Sequence, residues 1–333
     1  MTTLSRRHFG FAATAGALGL MAAACSSDNS TGGDAGASDA GGTASTVTVE
    51  DNNGQHTVAT PPTSVVATDN NSFQTLSDWG VSLTAASRAL MPTTIPYKDD
   101  ESIVDLGNHR EPNLEAVVAV EPDLIITGSR FSQYQDDFTS LAPDAVVLDL
   151  DARDDQPFEA ELKRRVDVLG TIFGKEKEAT ALGEDLDASI ARVKAAYDPA
   201  QKVMSVIVSG GEIGYSAPHV GRTFGPMYDV LGLTPALEVQ GADDDHQGDD
   251  ISVEAIADSN PDWILVMDRD AAVASEDSQP AAEVIEGSEA LKNVTAVTAG
   301  HVVYMPDDTY TNEGIETYTE FFGSFADALE ATS

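Results

Sequence analysis

The chain has 333 residues, enough for two ordinary domains and a substantial core. Its 56 acidic against 18 basic residues give a formal net charge of -38, which repels phosphate and argues against nucleic acid as a partner unless arginines cluster locally. Cys25 is the only cysteine, so no disulfide forms within one chain.

The first residues read as a targeting segment. Ser5-Arg6-Arg7-His8-Phe9 is a twin-arginine export signature, and Phe11 to Ala24 is an Ala- and Gly-rich apolar run too short to span a bilayer. The run ends in Ala22-Ala23-Ala24-Cys25, a lipoprotein signal-peptidase pattern with Ala22 where Leu is more usual. Residues 1–24 are therefore expected to be a signal peptide, with Cys25 the lipidated first residue of the mature protein. Residues 25–45 are small, polar and Gly-rich, the composition of a flexible tether.

Beyond the tether, an alternating run predicts a strand over Val47 to Asp51, then a strand over Ser64 to Ala67 and a helix over Asn71 to Trp79. Strands follow over Val81 to Ala86 and Ser102 to Gly107, then a helix over Phe131 to Leu141 and a strand over Ala145 to Leu150. Alternating elements of this kind make an α/β lobe with a largely parallel sheet, assigned to residues 46–173. From about Phe158 to Tyr197 the period turns helical, with one apolar stripe through Leu162, Val166, Leu169 and Ile172 and another through Leu182, Leu186, Ile190 and Val193. The second of these helices, within residues 174–198, is long enough at roughly 1.5 Å per residue to cross about 30 Å and join two lobes. A helical linker resists wide hinge motion, so limited closure is expected. Residues 199–333 form the second lobe, with strands over Val203 to Ser209 and His301 to Met305 and helices over Phe224 to Leu231, Ala281 to Glu286 and Gly314 to Leu329. An acidic loop, Asp243 to Asp250, interrupts it.

One stretch occurs twice. Asn113 to Arg130 and Ser252 to Arg269 align without a gap, with Glu115/Glu254, Pro122/Pro261, Asp123/Asp262 and Arg130/Arg269 identical. Each copy opens on an N-cap residue, runs a short apolar helix, breaks at Pro-Asp and continues as a buried strand. The copies lie too far apart for a solenoid, so they mark two similar lobes. In open α/β sheets the ligand crevice lies beyond the carboxyl ends of the strands, which is where each copy places its arginine.

No GxxxxGK[ST] loop, Cys/His metal constellation or GxSxG elbow occurs, and the sequence does not read as an enzyme's or call for a cofactor. What stands out is the placement of the arginines: Arg130 and Arg269 are expected to terminate apolar strands, and Arg222 follows a glycine in a loop. Arginine suits anionic oxygen ligands because its charge persists and its fork donates two parallel hydrogen bonds. Glu115 and Glu254 sit at the second position of their helices, either complementing the helix dipole or offering one carboxylate per lobe to a two-fold partner. His246 among aspartates is either a solvated loop residue or a metal ligand at a cleft rim, and Tyr310, beside Asn312 and Gly314 after the last strand, reads as a packing or turn tyrosine.

From Ser45 onward the chain resembles the substrate-binding lipoproteins of bacterial ABC importers for iron-siderophore complexes, in particular the catecholate type. The resemblance is carried by Tyr97-Lys98-Asp99-Asp100, Glu111-Pro112-Asn113-Leu114-Glu115, Glu121-Pro122-Asp123, Ser129-Arg130, Phe224-Gly225 with Asp229-Val230-Leu231-Gly232, Asp268-Arg269 and Gly314-Ile315-Glu316. It implies a helical-backbone periplasmic-binding-protein fold, two α/β lobes joined by one long helix, with Arg130, Arg222 and Arg269 lining the cleft. Relatives have the middle arginine directly before Phe-Gly, whereas here Thr223 intervenes. The resemblance further implies His246 and Tyr310 as iron ligands where the siderophore leaves sites free, and Glu115 and Glu254 as docking points for the permease. The expected protein is a monomeric, lipid-anchored receptor on the outer face of the cytoplasmic membrane that hands its ligand to an ABC permease and ATPase. Haem, cobalamin or a hydroxamate siderophore on the same fold is the alternative, although only 6% of the chain is aromatic. A divalent-metal-binding surface lipoprotein using the 243–250 loop is another.

The electrostatics are coherent. A ferric tris-catecholate carries three negative charges, and one arginine at ~4 Å and an effective dielectric of ~20 contributes roughly 4 kcal/mol before desolvation. Surface acids beyond a Debye length of ~8 Å are largely screened, so near cations outweigh the distant acidic field.

Overall fold

A computed structural model describes residues 45–107, 110–273 and 278–332 of the chain. The export signature, Cys25 and most of the tether lie outside the described residues. In chain order the first part contains β1 (Ser45–Asp51), β2 (Gly54–Thr60), β3 (Val65–Ala67), α1 (Phe73–Asp78), β4 (Ala85–Ala86), β5 (Val104–Asp105), α2 (Leu114–Ala119), β6 (Leu124–Thr127), α3 (Gln135–Leu141) and β7 (Val146–Asp149). Two long helices follow, α4 (Phe158–Phe173) and α5 (Glu176–Ala196). The last part contains β8 (Lys202–Ser209), β9 (Glu212–Tyr215), α6 (Gly225–Leu231), β10 (Thr234–Pro235), α7 (Val253–Ser259), β11 (Trp263–Asp268), α8 (Arg269–Val273), α9 (Ala281–Gly287), α10 (Thr295–Ala299), β12 (Val302–Tyr304) and α11 (Ile315–Ala331).

The first lobe is built on a parallel sheet of order β5-β4-β3-β6-β7. The second has the parallel order β10-β8-β11-β12, with β9 folded back antiparallel on β8. Strands β6 and β11 are buried on both faces, as their continuous apolar runs require when helices cover a parallel sheet. The hairpin β1–β2 is separate, and sequence reading misses β2 because its residues are polar and only Val58 is buried.

The repeat is realised in three dimensions. Asn113 Oδ1 accepts from Ala116 N at 3.1 Å to cap α2, and Ser252 Oγ accepts from Ala255 N at 3.2 Å to cap α7. The residues before the two prolines, Glu121 and Asn260, both adopt left-handed backbone, with φ of 44° and 43°. The following aspartates hold the entering strand: Asp123 accepts from Thr63 N at 2.7 Å and Asp262 from Lys202 N at 2.7 Å.

Helix α5 is the long helix expected midway along the chain, and its buried Leu186, Ile190 and Val193 belong to the second lobe's core. Helix α4, packed along it, is shared between the lobes. Its Leu162 and Val166 join the second core, while Val168, Leu169 and Ile172 join the first. Trp79 packs against both cores. Direct hydrogen bonds add to this seam: Asn70 Nδ2 donates to Thr311 O at 3.2 Å, Thr75 Oγ1 to Glu316 Oε1 at 2.6 Å and Asn312 Nδ2 to Gln74 Oε1 at 2.7 Å.

Candidate functional site

Strand order fixes where the crevices open. In the first sheet the chain runs outward from β3 through β4 to β5 and then returns to the other side as β6, so the switch point lies between β3 and β6. In the second sheet β8 plays the same part, with β10 on one side and β11 on the other. Arg130 follows β6 and Arg269 follows β11, so each stands at the switch point of its sheet.

Neither arginine closes its strand, contrary to the sequence expectation. Strand β6 stops at Thr127, and Ser129, with φ of 51°, turns the chain into a 3-10 helix over Ser129–Tyr134 that carries Arg130. Gly128 before it is closely packed: a Cβ there would stand 3.1 Å from Asp69 Cγ and 3.2 Å from Asp151 Oδ1, so both carboxylates would have to shift. The expected helix over Phe131 to Leu141 is accordingly split into this turn and α3. Arg269 opens α8 directly after β11, and the switch point is closed by its Nη1 donating to Ser209 Oγ at 3.2 Å.

The floor of the first crevice is charged. Asp69, fully buried, accepts from Ser72 Oγ at 2.6 Å and lies 3.4 Å from Arg165 Nε of α4. Asp151 accepts from the backbone N of Ser129; burial, then the Asp69 carboxylate, push it above the usual carboxylate range. Arg130 itself is half-buried, and no carboxylate among the described residues comes within 4 Å of its guanidinium.

The second lobe gathers the other two arginines on one ring. The Cζ of Arg222 lies 4.5 Å from the Tyr310 ring centroid and that of Arg269 lies 4.6 Å from it, both within cation–π range. Tyr310 is buried in the lobe's core. Arg222 also donates through Nη2 to Tyr310 O at 3.3 Å and to Glu313 Oε2 at 2.8 Å. Burial opposes its charge, but the Glu313 carboxylate and its hydrogen bond outweigh that and raise the guanidinium pKa further.

The loop carrying Arg222 is compact. Gly221 N donates to Ala217 O at 2.9 Å, Gly225 N to Gly221 O at 2.8 Å, and Ser216 Oγ to Arg222 O at 3.0 Å. A Cβ on Gly221 would stand 2.4 Å from Ala217 N. The inserted Thr223 has φ of 64°, a costly conformation for a β-branched residue, and its buried hydroxyl donates to Glu313 Oε1. The insertion therefore turns the backbone left-handed and still delivers Arg222 to the ring. Glu313 is a site residue that sequence reading missed, and Thr223, noticed there only as an intervening residue, joins the site through its hydroxyl.

Arg222, with His219, Thr223 and Tyr318, borders a cavity of about 960 Å³. Its other wall comes from the connector before α4, through Arg153 and Pro157, and from Phe158 at the start of that helix. Arg130 and Arg269 do not line this cavity, and among the described residues no hydrogen bond or ion pair joins the Arg130 side chain to Arg222, Arg269 or Tyr310. The cavity thus marks one flank of the second-lobe site and not the expected meeting point of all three arginines.

His246 is exposed, with Nδ1 3.8 Å from Asp245. Its loop is pinned to β9, where Tyr215 N donates to Asp249 O at 3.0 Å and Asp249 N to Tyr215 O at 2.7 Å. Nothing among the described residues joins His246 to Tyr310, and no group of three or more His, Cys, Asp or Glu side chains there could hold a metal ion. Glu115 and Glu254 are both exposed on their capped helices. No described helix is long and apolar enough to cross a membrane.

Known proteins share this architecture. The chain is 30% identical over 274 residues to the petrobactin-binding protein YclQ of Bacillus subtilis, covering 81% of this chain and 83% of that one. It is 28% identical over 267 residues to the ferric-anguibactin-binding protein FatB of Vibrio anguillarum, covering 79% and 81%. The crystal structure of YclQ superposes with a TM-score of 0.72 at 27% identity, covering 86% of this chain and 99% of that one. The periplasmic catecholate-siderophore binding protein VctP of Vibrio cholerae, at 24% identity, shares the fold with a TM-score of 0.73 over 86% and 100%. Residues 65–309 match the Periplasmic binding protein family (Peripla_BP_2), and with the two-lobed fold and the relatives above, this chain belongs to that family.

Proposed function

We propose that this chain is an extracytoplasmic solute-binding protein that captures a ferric siderophore of the catecholate type between its lobes and delivers it to an ABC permease for iron uptake. The observation that carries the reading is the convergence of Arg222 and Arg269 on Tyr310 at one switch point, with Arg130 at the corresponding place in the other sheet. Such guanidiniums suit the oxygens of a catecholate complex, because they bind the negative ligand shell without competing for the metal. Relatives that bind petrobactin and ferric anguibactin support the substrate class.

Around this site, residues 1–24 act as a twin-arginine signal peptide, Cys25 carries the lipid and residues 25–45 form the tether. Residues 46–173 make the first lobe, with α4 at their end shared between the two cores, 174–198 the interdomain helix, its buried face on the second core, and 199–333 the second lobe. Glu115 and Glu254 present one carboxylate per lobe to the permease. The protein performs no chemistry on its ligand and needs no resident cofactor. Mass spectrometry of ligand co-purified from iron-starved spent medium tests the substrate class. A catecholate mass with iron supports it, whereas haem, cobalamin or a hydroxamate siderophore displaces it. Failure of palmitate to label the wild type, or equal labelling of Cys25→Ala, rejects the lipid anchor.

A further inference from the structure

The three arginines differ in electrostatic setting. Among the described residues Arg130 has no carboxylate within 4 Å. Arg269 is only loosely paired: Asp270 Oδ1 stands 3.8 Å away, while the same Nη1 donates to the neutral Ser209 hydroxyl. Arg222 is closely paired, with Glu313 Oε2 at 2.8 Å and both side chains largely withdrawn from solvent, 23% and 19% exposed. The second oxygen of Glu313 accepts from Thr223, so one carboxylate holds two consecutive residues of the loop. Glu313 also lies three residues after Tyr310, the ring on which both second-lobe arginines rest. Its charge therefore belongs to the site and is not part of the screened surface field.

We propose that Glu313 is a specificity-determining residue that cancels the charge of Arg222 and tunes the site to ferric complexes of low negative charge, discriminating against trianionic ones. The inference rests on the siderophore reading of the site. Three guanidiniums alone would balance a ferric tris-catecholate; with Glu313 one of the three positive charges is cancelled and a trianion meets a carboxylate beside Arg222. A ferric bis-catecholate, with one net negative charge and open coordination positions, meets the same hydrogen-bond donors with far less repulsion. Selection then comes from a built-in unfavourable contact against the wrong ligand as well as attraction for the right one.

The test compares ferric tris(catecholate) with the 1:1 ferric complex of a linear bis-catecholate, by intrinsic fluorescence quenching at low and high salt. Wild-type protein is expected to favour the monoanionic complex. Glu313→Gln, whose amide oxygen still accepts hydrogen bonds, is expected to tighten trianion binding roughly tenfold or more at low salt, with little change for the monoanion and a gain that shrinks as salt rises. Glu313→Asp, which keeps the charge, retains the wild-type preference. Equal weakening of both complexes by Glu313→Gln would mean the residue only positions Arg222 and overturns the proposal, as does an unchanged ratio. If neither complex quenches wild-type protein, the siderophore reading itself fails, an outcome distinct from an unaltered preference.

Discussion

Tyr310 separates two roles that a site tyrosine can have. If it is a platform for Arg222 and Arg269, its ring matters and its hydroxyl does not; if it ligates iron, the hydroxyl matters. Tyr310→Leu removes the surface beneath both guanidiniums, which lie 4.5 and 4.6 Å from the ring centroid. A ligand must then immobilise two rotamer-rich side chains at roughly 0.5–1.5 kcal/mol each, or about 1–3 kcal/mol together. At 1.4 kcal/mol per decade this is a loss of about 5- to 140-fold in affinity. The ring stacking that now supplies this order is worth about 0.5–2 kcal/mol per arginine, which is of the right size. Tyr310→Phe keeps the ring face and is expected to stay within about threefold of wild type. The assay is fluorescence titration with a ferric catecholate, after a thermal melt shows that each variant folds. Equal damage from Phe and Leu, with loss of a ligand-to-metal absorption band, would refute the platform argument and make Tyr310 an iron ligand. No effect from Leu would refute it too.

Two carboxylates predict opposite pH effects on stability. Burial raises the pKa of Glu316, with Thr75 only partly compensating and Oε2 left buried and unpartnered. Its contribution to stability is full below the ordinary carboxylate range and is lost as pH rises through the raised value, so Glu316→Gln should raise Tm at neutral pH and lose that advantage in acid. Burial opposes ionisation of Glu161 as well, but hydrogen bonds from Arg153 and Arg164 outweigh it and hold the carboxyl below the usual range. Glu161→Gln should therefore lower Tm at neutral pH, and the difference should vanish as pH falls through the depressed value. Melting curves across pH that show both variants moving the same way would contradict these assignments. Glu115→Ala with Glu254→Ala should leave siderophore affinity unchanged and abolish stimulation of permease ATPase activity in vesicles; retained stimulation removes their docking role. The shared helix α4 and the hydrogen-bonded seam predict limited closure, so small-angle scattering showing marked compaction on ligand addition would argue against it.

The repeat was the most legible part of the chain, because its information is local. Asn113 and Ser252 cap helices, Asp123 and Asp262 hold neighbouring backbone, and apolar runs after each Pro-Asp become fully buried strands. The apolar stripes of α4 and α5 were legible for the same reason, though not that α4 divides its stripe between two cores. Short edge elements were not. Strands β2 and β9 are polar or Gly-containing and owe their conformation to pairing, with β1 and β8 respectively. Reading Arg130 and Arg269 as the last residues of their strands put them at the carboxyl end of each sheet but missed the detail, since a left-handed Ser129 and an immediate α8 start the next helical turn before or at the arginine. Glu313 could not be read from sequence at all. Its partner Arg222 lies 91 residues away, and a charge pair formed by tertiary folding leaves no periodic or motif signature.

The central claim is that arginines from both lobes hold one anionic iron complex. Calorimetric titration of the same ferric catecholate into wild type, Arg130→Ala, Arg269→Ala and the double variant tests it most directly. The account predicts that each single change weakens binding by about tenfold or more, the loss expected for a charge-assisted hydrogen bond removed from a ligand oxygen, and that the double change nearly abolishes it. Undiminished affinity in Arg130→Ala would show that the first lobe takes no part and would contradict a cleft shared between the lobes.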